Sequence, residues 1–184
     1  LWEIRAQRVV HDEEERQLYF DHAQFRIAGL PVAYFPRLRM PDPTVDRATG
    51  FLLPSIRSSS ELGFGLKLPY FIAIGDSRDL TVTPYVTAKG AVSTDLRYRQ
   101  AFSNGTLTLQ GAYSRDDIFP DQARGYLFGD GRFTLANGYI AGFTLETVSD
   151  DSYLLDYGLD EQDRLASDVY LSRIKRDLAF DARL

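Results

Sequence analysis

Residues 71–77 are the stretch of this chain whose residue types come nearest to a catalytic arrangement. The apolar run FIAI is followed by Gly75-Asp76-Ser77, which places a serine just past an apolar segment that reads as a buried strand. Such a serine becomes a nucleophile when a neighbouring general base accepts the proton of its hydroxyl group. The question is therefore whether the rest of the chain supplies that base.

The partners that Ser77 would need are missing from the sequence. A GDS-type serine hydrolase has a helix after the serine and a histidine base later in the chain. Here the residues after Ser77 alternate as a strand does, and both histidines, His11 and His22, precede it. Glycine, aspartate and serine are common turn residues. We therefore predict a turn between two strands and a protein that is not an enzyme.

Metal and cofactor chemistry is not expected either. His11 and His22 flank a predicted hairpin, but two histidines in a charged turn region face solvent more commonly than they bind a metal. The aspartate pairs at 116–117 and 150–151 lack the alternating spacing of a calcium loop, and the sequence has no phosphate-binding glycine loop. We expect no metal and no cofactor.

The composition excludes several function classes. The 184 residues include 26 acidic and 21 basic side chains and no cysteine, so the net charge of −5 argues against a nucleic-acid partner. No segment approaches the roughly 20 apolar residues of a membrane-spanning helix. Eleven Tyr and 12 Phe residues favour strands. The chain begins at Leu1 and ends at Leu184 within an alternating run, and we expect it to be an excised fragment.

A period-two alternation of apolar and polar residues dominates the chain after residue 58, which predicts strands. About eight strands are expected, one each in 58–70, 80–89, 92–102, 106–114, 125–136 and 138–148, and two in 168–184. Asn104-Gly105, Asn137-Gly138 and Lys89-Gly90 predict tight hairpin turns with positive φ. The acidic connections 116–124 and 149–165 are expected to be solvated, the second with a short helix.

The first part of the chain has a different pattern. Residues 2–10 and 17–28 alternate as two strands around a charged turn at 11–16, and a short strand is predicted at 31–35. Residues 36–54 contain four prolines, which cannot donate to a strand ladder. We predict a β unit at 1–35, an inter-domain passage at 36–57, and a second β unit at 58–184.

Two all-β architectures are compatible with this pattern. Runs of about 9 to 11 residues match a tilted membrane-spanning strand, but a soluble sandwich alternates too. Tight turns and aromatic residues near strand ends favour the membrane barrel, as does a polar face with charged residues: Glu61, Lys67, Asp95, Arg97 and Arg99.

Several short motifs then point to a family. They are PVAYFP at 31–36, RATGFLLP at 47–54, PYF at 69–71, DLTVTP at 79–84, RYR at 97–99 and VSDDSYL at 148–154. In combination they resemble the LPS-assembly outer-membrane protein family (LptD, also called OstA or organic solvent tolerance protein). The resemblance implies the end of a periplasmic β-jellyroll followed by the first antiparallel strands of an outer-membrane β-barrel.

The function that this resemblance implies is transport of lipopolysaccharide and its insertion into the outer leaflet of the outer membrane. The implied partners are lipopolysaccharide, a plug lipoprotein inside the barrel, a periplasmic LPS bridge protein and outer-membrane lipids. Pro54 and Pro69 fall where the family has prolines at the start of the barrel. Because each removes a ladder donor, they are candidates for a lateral gate at the first strand, or simply for a bend next to the inter-domain passage. Trp2, Ile4, Phe25 and Ile27 are candidates for a lipid groove or simply for a core, and the five charged residues named above are candidates for lining the lumen or contacting the plug.

The strand count also predicts which side of the membrane each connection faces. Counting strands from a periplasmic start places the short Asn-Gly turns outside the cell and both long acidic loops in the periplasm, which is opposite to the usual arrangement of outer-membrane barrels. The alternative to a transport component is a self-contained eight-stranded barrel that acts as a structural anchor.

Overall fold

The computed structural model describes residues 2–27, 29–45, 47–159, 165–176 and 178–184, and its chain forms two compact units, Leu1–Phe51 and Leu52–Leu184. Almost all regular structure in both units is antiparallel β-sheet. The predicted all-β class is therefore confirmed. No helix among the described residues is long and apolar enough to cross a membrane.

The first unit is a small sheet built around one long strand. The strands of this sheet are β1 (Trp2–Arg5), β2 (Arg8–Asp12), β3 (Gln17–Ile27) and β4 (Leu30–Pro41). The two-residue β5 (Gly50–Phe51) follows later in the unit and is not part of this sheet. Strands β1 and β2 pair with successive parts of β3, and β4 pairs with β3 along its length. The single strand predicted over 2–10 is thus two strands.

Strand β4 is longer than the segment predicted at 31–35, because it continues to Pro41. Residues 36–41 of the predicted passage therefore belong to a strand. Pro36 is tolerated because the register with β3 skips this position, passing from Asp21–Arg37 to Ala23–Phe35. His22, the residue skipped on β3, has a φ of 54° that interrupts the regular extended backbone. A proline without an N–H group fits such an irregularity better than it fits a regular ladder.

The second unit is one antiparallel sheet in which neighbours in sequence are mostly neighbours in space. It contains β6 (Ser55–Ser59), β7 (Gly63–Lys67), β8 (Tyr70–Ile74), β9 (Arg78–Thr87), β10 (Val92–Phe102), β11 (Gly105–Arg115), β12 (Arg124–Thr134), β13 (Tyr139–Val148), β14 (Asp168–Lys175) and β15 (Leu178–Arg183). The predicted short helix in the second acidic connection is α1 (Tyr153–Asp156). Strands β6 and β15 end the path and do not pair with each other in the described part of the chain. The sheet is open, whereas a self-contained barrel would need its first and last strands to pair.

The interpretation of 58–70 as one strand was wrong. The chain turns at residues 60–62, between β6 and β7, and β8 then continues along the same edge of β9 beyond Pro69. The alternation misled because it continues unbroken through a tight hairpin. Gly63, with φ of +72°, is the residue that marked the turn.

This extra strand reverses the predicted sidedness of the connections. Two ends of the large sheet can be defined: the turn end carries the connections after β8, β10, β12 and β14, and the loop end carries those after β6, β9, β11 and β13. The chain enters β6 from the turn end. The two Asn-Gly turns therefore share an end with the start of the sheet. Both long acidic loops lie at the opposite end, together with the short turns after β6 and β9.

The hairpin turns themselves are confirmed, with one correction. Asn137, Gly138 and Gly90 have positive φ as predicted, but Asn104 and Gly105 do not, although their hairpin is tight. Gly105 is needed for another reason, because a Cβ there would lie 2.3 Å from the carbonyl oxygen of Arg132 on β12.

The large sheet sorts its side chains onto two faces. On the apolar face, defined by the register positions of Leu66, Val86, Val92 and Leu127, the described strand residues include no Asp or Glu. On the polar face lie Asp79, Asp95, Arg97, Arg99, Asp130, Arg132, Glu146 and Asp168. The main buried cluster, with Leu62, Tyr85, Ala91, Tyr126, Tyr153, Leu154 and Tyr157, forms near the loop end.

Candidate functional site: the polar face and the loop end

Two of the predicted lumen residues form an ion pair on the polar face. The ammonium group of Lys67 on β7 lies 3.1 Å from a carboxylate oxygen of Asp95 on β10, and both side chains are largely buried, at 14% and 16% exposure. The same ammonium lies 4.9 Å from the centre of the Tyr85 ring. Because each charge has a partner, Lys67 and Asp95 stabilise the arrangement of β7, β9 and β10.

The other predicted lumen residues differ in their environment. Arg99 donates two hydrogen bonds to Asp79, at 2.9 and 3.1 Å, while keeping about half of its side chain exposed. Arg97 on β10 is exposed. Glu61 is exposed too, but it lies in the turn between β6 and β7 at the loop end, and not on a strand of the polar face as predicted. The polar face therefore combines charges that are already paired with charges that are open to a partner.

Both prolines proposed for the gate lie beside breaks in the first strands. Pro54 immediately precedes β6, and Pro69 separates β7 from β8. The carbonyl oxygen of Pro69 accepts a hydrogen bond of 2.9 Å from the N–H of Leu52, but its nitrogen has no hydrogen to donate. The N–H of Leu68 still donates to the carbonyl oxygen of Pro84 on β9 at 3.1 Å, so the donor that this edge lacks is that of Pro69 alone.

The four lipid-groove candidates come together in register. Trp2 pairs with Ile27, and Ile4 pairs with Phe25. Residues that pair across an antiparallel sheet lie on the same face, and so do residues two positions apart on one strand, so all four positions share one face. Phe25 is 8% exposed and Ile4 is half-buried. The side chains of Trp2 and Ile27 lie outside the described part of the structure.

The residues considered for catalysis and metal binding are not brought together. Ser77 lies in the predicted turn, directly before β9. His11 contacts Asp42, and Nδ1 of His22 lies 2.5 Å from the hydroxyl of Tyr34, so the two histidines have separate partners. Among the described residues no group of three His, Cys, Asp or Glu side chains could hold a metal ion.

A buried arginine that the sequence did not single out organises the loop end. Arg124, at the start of β12, is 2% exposed and contacts three carboxylates. Its Nε and Nη2 donate to Asp150 at 2.9 and 2.7 Å, Nη2 also donates to Asp156 at 2.7 Å, and Nη1 donates to Asp116 at 3.1 Å. We call Arg124 with Asp116, Asp150 and Asp156 the Arg124 cluster.

The Arg124 cluster ties two loops to one strand. Asp116 belongs to the connection between β11 and β12, whereas Asp150 and Asp156 belong to the connection between β13 and β14. The hydrogen bonds from Arg124 hold the pKa of Asp150 well below its ordinary value. These aspartates are therefore neither solvated, as the sequence predicted for acidic loops, nor arranged for calcium.

Tyrosines of the second loop insert beneath this cluster. The hydroxyl of Tyr157 donates to Asp116 at 2.8 Å, and the hydroxyl of Tyr153 lies 2.6 Å from that of Ser114, which donates to Ser93. The two tyrosine rings stack at 4.5 Å between centroids. Burial raises the pKa of both hydroxyls, so they remain protonated donors and hold α1 against the polar face.

The sequence of this chain is similar to a known protein family. Residues 122–183 match the family model "LPS transport system D", LptD. The chain is 34% identical over 179 residues to the LPS-assembly protein LptD of Shewanella oneidensis, which covers 94% of this chain and 23% of that protein. The LptD protein of Idiomarina loihiensis is 30% identical over 176 residues, with 94% and 23% coverage. That of Burkholderia pseudomallei is 34% identical over 135 residues, with 73% and 17% coverage.

The chain belongs to the LptD family. It spans less than a quarter of the length of these curated relatives. The region matched by the LptD model includes Arg124, Asp150 and Asp156 together with the whole of α1.

Part of the Arg124 cluster was visible in the LptD motifs. The motif VSDDSYL at 148–154 carried the resemblance and contains both Asp150 and Tyr153. Tyr153 and Tyr157 are four residues apart, a spacing that places two side chains on one side of a helical turn. An acidic loop with this apolar pattern is a sign of a loop that folds back on the protein.

Proposed function

We propose that this chain is part of a protein that transports lipopolysaccharide and inserts it into the outer leaflet of the outer membrane. The observation that carries the proposal is that one face of the large sheet is apolar and has no carboxylate in the described strands, whereas the other face carries charges of both signs, in a member of the LptD family. Exposed apolar side chains cover the face that has no carboxylate, with Val86, Val92, Leu96, Tyr113, Leu127 and Val169 each 44–61% exposed. A face of this kind is suited to lipid rather than water.

In this proposal β6–β15 are the first strands of an outer-membrane barrel. The apolar face contacts outer-membrane lipids, and the polar face lines the lumen. The turn end lies in the periplasm and the loop end outside the cell, which follows the usual rule that periplasmic turns are short and external loops long. The remaining strands would come from parts of the protein beyond this chain.

The first unit would be the end of a periplasmic β-jellyroll that receives lipopolysaccharide from a periplasmic bridge protein. The paired positions Trp2, Ile4, Phe25 and Ile27 would line a groove for acyl chains. Pro54 and Pro69 would mark the lateral gate, since a strand edge with missing donors separates from a neighbour at lower cost than a complete ladder.

The polar face would meet the plug lipoprotein. Arg97 is exposed on this face and is the candidate for direct contact, and Arg99 can contribute its exposed portion. Glu61, in the turn between β6 and β7, would contact the plug only at the loop end. Lys67 and Asp95, which neutralise each other, would instead shape the surface against which the plug lies. Replacing Arg97 by glutamate is expected to reduce recovery of the plug with the full-length protein, and Arg132→Glu, near the turn end of the same face, is the matched control.

The transport proposal is tested by photocrosslinking in the full-length protein. A photoreactive phenylalanine analogue replaces Phe25, and a second variant carries it at Ile4. The control position is Gln24, the exposed neighbour of Phe25 on β3. Lipopolysaccharide adducts at Phe25 and Ile4 but not at Gln24 are expected. An assembled protein that gives no adduct at either apolar position would count against the proposed route.

The gate has its own test. Pro69→Ala restores an N–H group at the break between β7 and β8 and is expected to slow the appearance of new lipopolysaccharide at the cell surface without lowering the amount of assembled protein. Pro84→Ala serves as a control, because Pro84 lies on the neighbouring strand β9 and away from the sheet edge. Equal export rates for the wild type and both variants would contradict the proposed role of Pro69 in the gate.

A further inference from the structure

A groove on the apolar face ends beside an arginine with an unusual position. The groove has a volume of about 360 Å³ and is lined mainly by apolar side chains of β9–β12, including Leu96, Tyr98, Leu109 and Leu127. Gly111 forms part of its floor, where a Cβ would lie 2.8 Å from the carbonyl oxygen of Tyr126. Glycine therefore keeps two strands close and leaves a depression in the surface above them.

The charge at the end of this groove is Arg115. It follows Tyr113 by two residues on β11 and lies opposite Val92, so its register position is on the apolar face at the loop end. The other basic residues on this face, Arg78, Arg173 and Lys175, are all at the turn end. Arg115 is therefore the only charged residue at the loop end of the apolar face in the described strands.

No protein group in the described part of the chain balances this charge. Arg115 is exposed and has no hydrogen-bond or ion-pair partner there. The next two residues are acidic but are directed elsewhere, since Asp116 is bound to Arg124 and a carboxylate oxygen of Asp117 faces Gly90. A cation that no carboxylate pairs with, next to an apolar groove, is complementary to an anionic lipid.

The distance along β11 from the middle of the groove to Arg115 corresponds to about half of the hydrocarbon core of a membrane. Tyr98, which lines the groove, pairs with Leu109 on β11. Leu109 lies six residues before Arg115, and six residues span about 20 Å along a strand. At the usual tilt of barrel strands, about 35–45°, this corresponds to roughly 15 Å of depth, half of the ~30 Å hydrocarbon core. Arg115 then lies at headgroup level when Tyr98 is near the midplane.

We propose that this groove, with Arg115 at its mouth, is a binding site for a single anionic lipid of the outer leaflet, namely lipopolysaccharide. An acyl chain lies in the groove between Leu96 and Leu127, and a phosphate of the headgroup contacts the guanidinium of Arg115. The site is on the outside of the barrel wall and well separated from the strand edge at Pro54. The inference rests on the proposed function for the identity of the membrane and of the leaflet.

Native mass spectrometry of the full-length protein tests the site, with purified rough-type lipopolysaccharide and phosphatidylglycerol as the two probes. Arg115→Gln is expected to weaken lipopolysaccharide binding about five-fold, whereas Arg132→Gln, an exposed arginine on the polar face, leaves it unchanged. Wild-type affinity in Arg115→Gln would overturn the proposal. Equal preference for phosphatidylglycerol would also overturn it, because the occupant would then be any anionic lipid.

A second measurement in cells separates this inference from the proposed function. A photoreactive residue at Tyr113 is expected to yield lipopolysaccharide adducts, and the same residue at Val169, exposed on the apolar face but outside the groove, several-fold fewer. Equal amounts of adduct at both positions would show that the groove is no more than ordinary lipid-facing surface and would overturn the proposed binding site. If the protein crosslinks to no membrane lipid at either position, the proposed function fails as well.

Discussion

The guanidinium of Arg124 makes a two-point contact with the carboxylate of Asp150, with N···O distances of 2.9 and 2.7 Å. This contact joins the first residue of β12 to the loop that follows β13, across 26 residues of sequence. Two planar groups that meet at two points are fixed in orientation as well as in distance. Asp116 and Asp156 complete the set, so one buried cation holds both long loops at the loop end.

Removing this cation is expected to destabilise the loop end strongly. Arg124→Ala leaves the carboxylates of Asp116, Asp150 and Asp156 close together without a counter-charge, and loss of one member of a buried ion pair costs about 3–5 kcal/mol. Thermal unfolding and limited proteolysis of the full-length protein measure the effect. New cleavage within residues 149–159 is expected in the variant.

The control for this prediction is Arg132→Ala, since Arg132 lies on the same strand but is exposed. Its unfolding temperature and cleavage pattern should match those of the wild type. If Arg124→Ala behaves as Arg132→Ala does, the cluster contributes little to holding the loops.

Acid is expected to release the same loop. The pKa of Asp150 is lowered in the folded protein, mainly by the hydrogen bonds from Arg124, so its contribution to stability is fully present above the unfolded pKa of about 3.9 and declines as the pH falls below that value. Thermal unfolding at pH 7, 5, 4 and 3 measures this dependence. Asp150→Asn, which cannot titrate, should lose less stability between pH 4 and pH 3, and parallel curves for the two proteins would contradict the assignment.

Lys67 and Asp95 are expected to be energetically coupled. Each single substitution, Lys67→Ala or Asp95→Ala, leaves one largely buried charge without its partner, whereas the double variant removes both. A double-mutant cycle in unfolding free energy should therefore give a coupling of about 0.5–3 kcal/mol. Additive effects would mean that the 3.1 Å contact does not contribute to stability.

An added charge is expected to cost more stability on the apolar face of the large sheet than on its polar face. Leu96→Arg places a cation in the middle of the apolar face and should cost about 2–4 kcal/mol if that face meets the membrane interior. Thr108→Arg places the same cation on the polar face of the adjacent strand β11 and should cost much less. Unfolding of the full-length protein from lipid vesicles measures both, and equal costs would argue against a lipid-facing surface.

The strands could be predicted from the sequence because alternation depends only on which face each residue occupies. Residues 92–102 were predicted as a strand and form β10 with those bounds. The strand predicted at 106–114 is β11, which extends it by one residue at each end (Gly105–Arg115). The same signal failed at residues 58–70, because a tight hairpin does not change the alternation. One missed turn was enough to reverse the sidedness of every later connection.

The Arg124 cluster could not be predicted in the same way. Its members are 8, 26 and 32 residues apart from Arg124 in sequence, and they meet only because two loops fold back toward the start of β12. The acidic residues of these loops indicated solvent exposure by composition alone. The sequence did contain the apolar partners, Tyr153, Leu154 and Tyr157, which explain why the loop is buried.

We propose that the large sheet crosses the outer membrane with its loop end outside the cell. A membrane-impermeant maleimide, applied to intact cells that express full-length Gln122→Cys or Asn104→Cys, tests this directly, with the unsubstituted protein as the baseline. Gln122 lies in the connection between β11 and β12, and Asn104 in the turn between β10 and β11. Labelling of Gln122→Cys in intact cells, and of Asn104→Cys only after the outer membrane is disrupted, is the predicted result. Labelling of Asn104→Cys alone in intact cells, or equal labelling of both, would contradict it.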